Sequence, residues 1–139
     1  IDTLMSTPVP EGGRRIAILG DMGELGFESN RGHGEVGAYA HRKGVDVTLT
    51  VGPNSYAAYK GWGNDAAQEG HGLRLIPTGP GMPLIETDEQ TGKACEYFEN
   101  KEMIIAGILE HIHEGDCILV KASRLMALEK IVEHIVNDK

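Results

Sequence analysis

Cations, cysteines and long apolar runs are what this chain has least of. Lys and Arg number 13 against 21 Asp and Glu, a formal net charge of −8 over 139 residues. A surface of that sign does not draw nucleic acid or an anionic membrane by its overall field. No apolar stretch approaches the length that crosses a bilayer. Residues 1–15 lack the basic start and apolar centre of a signal peptide. Cys95 and Cys117 are the only cysteines, and Cys117 sits inside an apolar run where a thiol behaves as a small hydrophobe. Both read as free thiols, which points to a reducing compartment.

Several catalytic signatures are also missing. There is no G-x-x-x-x-G-K-[ST] phosphate cradle and no G-x-S-x-G nucleophile elbow. The glycines of 20–26 have the wrong spacing for G-x-G-x-x-G, and the acids among them would repel a pyrophosphate. Cysteine and histidine spacing fits no common zinc motif; His111 and His113, two apart, would point to different sides of a helix. The expectation is therefore no metal site and no cofactor on this chain.

What the chain has in excess is glycine, 19 residues, about twice the usual share. Its length suits one ordinary domain with a real core. Residues 1–13 read as a short helical piece followed by a Pro- and Gly-rich linker, so 1–14 is expected to be the remnant of a connection from a preceding domain and 15–139 the domain itself. Arg15–Leu19 is the first strand. A helix capped by Ser29 or Asn30 should run to about Lys43, with His33, Val36, Gly37 and Ala40 facing the sheet. Asp46–Val51 is a second strand, 54–59 a short helix and Leu73–Ile76 a third strand. Residues 77–92 are rich in Pro and Gly and read as mostly irregular, although Leu84–Thr87 and Cys95–Phe98 can pair as a hairpin. Glu102–Ile112 is a helix with Ile104, Ile105, Ile108, Leu109 and Ile112 on one face. Cys117–Val120 is another strand, and the last helix buries Leu128, Ile131, Val132, Ile135 and Val136. Strands alternating with helices predict an α/β, Rossmann-like fold: a mostly parallel sheet with helices on both faces.

Two strand exits carry the polar chemistry. Arg15-Ile16-Ala17-Ile18-Leu19 stops at Gly20-Asp21-Met22-Gly23-Glu24-Leu25-Gly26, and Cys117-Ile118-Leu119-Val120 stops at Lys121-Ala122-Ser123-Arg124. If the strands are parallel, both loops leave at one edge, the ligand crevice of open α/β sheets. One exit is acidic and the other basic, so together they suit the two ends of a zwitterion. Asp21 either accepts hydrogen bonds from an ammonium or metal-bound water, or caps amides of its own loop. Lys121, Ser123 and Arg124 either hold an anion at the start of the last helix or, for Ser123, only cap it. His33 fits a hydrogen-bonded structural role as well as a functional one. Tyr56, Tyr59 and Trp62 offer a stacking surface or plain packing. Asp46 and Asp116 precede their strands and belong to the opposite edge.

The run Gly20-Asp21-Met22-Gly23-Glu24-Leu25-Gly26, with Ser29, His33 and Glu35-Val36-Gly37 after it, resembles the opening of the C-terminal domain of Mur ligases. The later run Gly115-Asp116-Cys117-Ile118-Leu119-Val120-Lys121-Ala122-Ser123-Arg124, with Met126 and Glu129, is similar to that domain's closing segment. The resemblance implies part of a three-domain ATP-dependent amide ligase of peptidoglycan synthesis. ATP and Mg would be used by a central domain. The acyl phosphate of UDP-N-acetylmuramoyl-tripeptide would be attacked by the amine of D-Ala-D-Ala, and this domain would bind substrate and close. It implies substrate-binding roles for Asp21, Met22, Glu24, His33, Lys121, Ser123 and Arg124, with no catalytic residue on this chain and no activity in isolation. Ala122 departs from the glycine usual in that run, and 77–92 is longer than the usual connection. The rival readings are a stand-alone small-molecule-binding α/β module, and a hydrolase or phosphotransferase built on Asp21.

Overall fold

The computed structural model describes residues 2–6, 8–9, 11–21, 29–76, 84–100, 102–104 and 116–121. Its elements in chain order are α1 (Asp2–Ser6), β1 (Arg15–Gly20), α2 (Ser29–Lys43), β2 (Val47–Val51), α3 (Tyr56–Gln68), β3 (Leu73–Ile76), β4 (Leu84–Asp88), β5 (Ala94–Phe98) and β6 (Cys117–Lys121). The six strands form one sheet in the order β3-β4-β5-β2-β1-β6.

The sheet is mixed. β5, β2, β1 and β6 run parallel, while β4 pairs antiparallel with both β5 and β3. The expected mostly parallel sheet is thus a four-stranded parallel block extended by an antiparallel pair. The hairpin read for Leu84–Thr87 and Cys95–Phe98 is present as β4–β5, which turns through Gly92.

Side chains alternate across the central strands and both faces are covered, which is why β1 reads as an unbroken apolar run. Ile16, Ile18, Leu49, Val51 and Phe98 lie on one face and pack with Ile104 from the helical residues 102–104. Ala17 and Leu19 lie on the other and meet Ala40, Val45 and Leu4. Leu4 is only 3 % exposed, so the segment read as a linker remnant contributes to the core. Tyr59, Trp62, Cys95 and Tyr97 form a third cluster, beneath α3.

The clearest correction concerns α3, a helix of 13 residues rather than the short helix expected over 54–59. Gly61 and Gly63 hid it, because glycine is a poor helix former. Packing explains Gly61. A methyl on Gly37 of α2 would strike the carbonyl of Ala58, and one on Gly61 would strike the carbonyl of Gly34. The two helices meet backbone to backbone, and only glycine fits there. Ala40 and Val36 of α2 pack against the sheet as expected, while Gly37, expected to do the same, faces α3 instead. The expected helix over 125–136 lies outside the described residues, as do 105–112.

Candidate functional site

β1 and β6 are in register from Arg15 and Cys117 to Leu19 and Lys121. Parallel pairing therefore delivers Gly20-Asp21 and the exposed Lys121 to the same edge. β2 and β5, also parallel, bring Gly52-Pro53-Asn54-Ser55 and Glu99-Asn100 there too. Met22, Glu24, Ser123 and Arg124, the other loop residues expected to bind substrate, lie outside the described residues.

Asp21 is 7 % exposed and turns toward the neighbouring β2–α3 connection. Its Oδ1 accepts the Ser55 amide at 2.7 Å and the Ser55 hydroxyl at 2.8 Å, and its Oδ2 accepts the Asn54 amide at 3.2 Å. Ser55 precedes α3 and makes no side-chain cap of its own. Asp21 supplies that cap from another strand, placing a negative charge where the helix dipole favours one. Gly52 makes room for it: φ is +109° there, and a methyl would stand 2.7 Å from the Asp21 carboxyl carbon. The amides that Asp21 caps among the described residues belong to the adjacent connection, and the expected capping of its own loop falls on residues outside them. His33 sits near the start of α2 and is 1 % exposed.

Beside this acid lies an aromatic surface. Tyr56 is 42 % exposed, with the Tyr97 ring edge-on at 5.2 Å and the Tyr59 ring at 6.0 Å. Burial, helped by Glu99, Asp21 and Tyr56, raises the Tyr97 phenol above its ordinary range, so it stays a neutral donor at neutral pH. An open cavity of about 620 Å³ is lined by Pro53, Tyr56, Leu84, Tyr97, Glu99 and Asn100. Tyr97 and Glu99 were not anticipated, since their sequence signal is that of an ordinary strand end. Trp62, weighed beside Tyr56 and Tyr59 as a stacking surface, is fully buried.

The opposite edge carries a polar cluster that the sequence reading missed altogether. His41 at the end of α2 faces two carboxylates: Nδ1 lies 2.7 Å from Asp65 Oδ2 and Nε2 lies 2.7 Å from Asp88 Oδ2. His71 Nδ1 is also 2.7 Å from Asp88 Oδ2, and Arg42 donates to Asp65 Oδ1 at 3.0 Å. Burial works to raise the Asp88 carboxyl, but His41, His71 and the amides of Gln90 and Thr91 outweigh it and hold the group down at about 2. Asp46 and Asp116 are on this edge as expected. Asp46 accepts the Arg15 amide at 2.8 Å and Asp116 pairs with Arg14 at 2.9 Å.

Comparison with known proteins identifies the family. The family described as Mur ligase, glutamate ligase domain matches residues 1–124. UDP-N-acetylmuramoyl-tripeptide–D-alanyl-D-alanine ligase of Escherichia coli (strain K12) is 32% identical over 128 residues, covering 91% of this chain and 22% of that protein. The enzyme of the same name from Bacillus subtilis (strain 168) is 29% identical over 126 residues, again 91% of this chain and 22% of its own length. The chain thus spans less than a quarter of these relatives. A crystal structure of MurF from Acinetobacter baumannii shares the fold, with a TM-score of 0.67 at 18% identity, over 98% of this chain and 23% of that one. On the family match over most of its length, this chain belongs to the glutamate ligase domain family of the Mur ligases.

Proposed function

We propose that this chain is the substrate-binding and closing domain of an ATP-dependent amide ligase that adds D-Ala-D-Ala to UDP-N-acetylmuramoyl-tripeptide in the cytoplasm. The observation that carries the reading is the likeness to the Escherichia coli ligase of that name, which runs over 91% of this chain. The parallel register of β1 and β6 supports it, because it gathers Asp21 and Lys121 at one edge. Ser123 and Arg124 follow Lys121 directly in sequence. Lys121, Ser123 and Arg124 hold the dipeptide carboxylate, for which the arginine fork is well shaped. Asp21 acts as a positioning residue: its carboxylate is engaged with Ser55 and Asn54, and it fixes the start of α3 and thereby Tyr56. Met22 and Glu24 follow Asp21 in sequence and complete the substrate-binding set, which the buried His33 of α2 supports. Holding the amine near an activated carboxyl and excluding water lower the barrier to amide formation.

ATP and Mg belong to the remainder of such an enzyme. Among the described residues this edge does not fit a magnesium–triphosphate cradle, since its buried acid is spent on amides and the chain has no G-K-[ST] loop. The 139-residue chain alone should therefore show no ligase activity and negligible ATP affinity by calorimetry. The full-length protein should release phosphate only when ATP, the UDP-linked tripeptide and D-Ala-D-Ala are all present. Tight ATP binding by the chain alone, or turnover without the dipeptide, would overturn the proposal.

A further inference from the structure

The cluster at the far edge has the makings of a metal site. His41, His71 and Asp88 each offer one ligand atom, and the three atoms lie within 4.8 Å of one another. They come from α2, the α3–β3 connection and the end of β4. Asp88 is fully buried and His41 is 6 % exposed, while the His71 side chain is 20 % exposed and opens the cluster to solvent.

The arrangement around His41 is that of a carboxylate–histidine–metal triad. Asp65 takes the Nδ1 proton, fixing tautomer and ring orientation, and the Trp62 ring stands edge-on at 5.0 Å. Such a partner leaves Nε2 as the ligating nitrogen and raises its basicity. Both His41 nitrogens lie 2.7 Å from carboxylates, Nδ1 from Asp65 and Nε2 from Asp88. Asp65 is also met by Arg42, and Asp88 by His71 Nδ1. A divalent cation among His41 Nε2, His71 Nδ1 and Asp88 Oδ2 would take the place of the hydrogen bonds that join them. Zinc–nitrogen and zinc–oxygen bonds run about 2.0–2.2 Å, so the ligand atoms would need to part by less than about 1 Å. Imidazole and carboxylate together suit zinc, nickel or copper rather than calcium or magnesium.

We infer that His41 Nε2, His71 Nδ1 and Asp88 Oδ2 form a binding site for a divalent transition metal such as zinc, oriented by Asp65 and completed by solvent. The site joins α2 to the β4–β5 hairpin and is independent of the substrate edge. The probe is zinc chloride, titrated calorimetrically into the 139-residue chain at pH 7.5. The expected result is one saturable site and a raised melting temperature. His71→Asn, at the exposed corner, should fold normally and weaken binding at least tenfold. Asp65→Asn should weaken it by about 10- to 100-fold through loss of ring orientation. His111→Gln with His113→Gln should leave it unchanged. Absence of saturable binding, or the same affinity in His71→Asn, would overturn the inference and leave the cluster as an ion-pair network only.

Discussion

The two ends of this sheet use carboxylates in opposite ways. At the ends where the parallel strands start, four described aspartates are matched to a cation or a histidine: Asp116 to Arg14, Asp46 to Lys93, Asp65 to Arg42 and His41, and Asp88 to His41 and His71. At the ends where those strands finish, Asp21 holds amides and a hydroxyl among the described residues, and Lys121 stands exposed. One end ties helices and hairpin together. The other is a supported rim with open space beside Tyr56 and Tyr97. The difference agrees with the general placement of ligands at the carboxyl ends of strands.

The largest expected effect lies at the closed end. Asp88→Asn removes the charge that faces two histidines in a fully buried position, and breaking a buried pair from one side costs about 3–5 kcal/mol. Urea denaturation of the purified chain reads this directly. A loss below about 1 kcal/mol would show that the cluster does not tie this end together. Next comes the glycine contact between α2 and α3. Gly37→Ala should cost about 1–3 kcal/mol, because the added methyl forces the helices apart, with a fall in melting temperature of several degrees.

Asp21→Ala follows, at about 1.5–3 kcal/mol for hydrogen bonds to a charged acceptor. Gly52→Ala should disturb the same contact, so a double-mutant cycle should find the two losses less than additive. Full additivity would separate Gly52 from the cap. The smallest effect belongs to Arg31→Ala. Its partner Glu35 is one turn away and both side chains are exposed, so stability should change by no more than about 0.5 kcal/mol.

Acid should separate the two ends as well. In the metal-free chain the Asp88 carboxyl is held at about 2, below its ordinary 3.8. A depressed folded value means stability that is fully present above pH 3.8 and is lost as pH falls through about 2. Wild type should therefore lose stability more steeply than Asp88→Asn across that window. Parallel profiles would contradict the assignment.

Legibility in the sequence followed the same division. β1 and β6 were readable because each is an apolar run that ends at a glycine or a cation, and their shared edge follows from parallel pairing. The length of α3 was not, because Gly61 and Gly63 lower helix propensity for reasons that lie in α2 and β4: a methyl at Gly63 would meet the Glu86 carboxylate. Asp21 could be marked as a loop acid, yet its partners Asn54 and Ser55 lie 33 and 34 residues away. The far cluster was silent for the same reason. His41 reaches Asp65 across 24 residues and Asp88 across 47, and His71 reaches Asp88 across 17. Metal-spacing rules search for local pairs, and here every ligand comes from a different element.

The most direct test of the central claim sets one residue from each end against the other in the full-length protein. Arg124→Ala removes the charge-assisted contact assigned to the dipeptide carboxylate, worth about 1.5–3 kcal/mol, or roughly ten- to a hundredfold in affinity. Lys93→Ala removes a cation from the closed end, where it contacts Asp46 and the Gly44 carbonyl. Steady-state kinetics with each substrate varied in turn should show the KM for D-Ala-D-Ala rising at least tenfold in Arg124→Ala, with that for the UDP-linked tripeptide little changed, and neither moving in Lys93→Ala. An unchanged dipeptide KM in Arg124→Ala, or equal effects of the two substitutions, would contradict the assignment of the substrate to the open end.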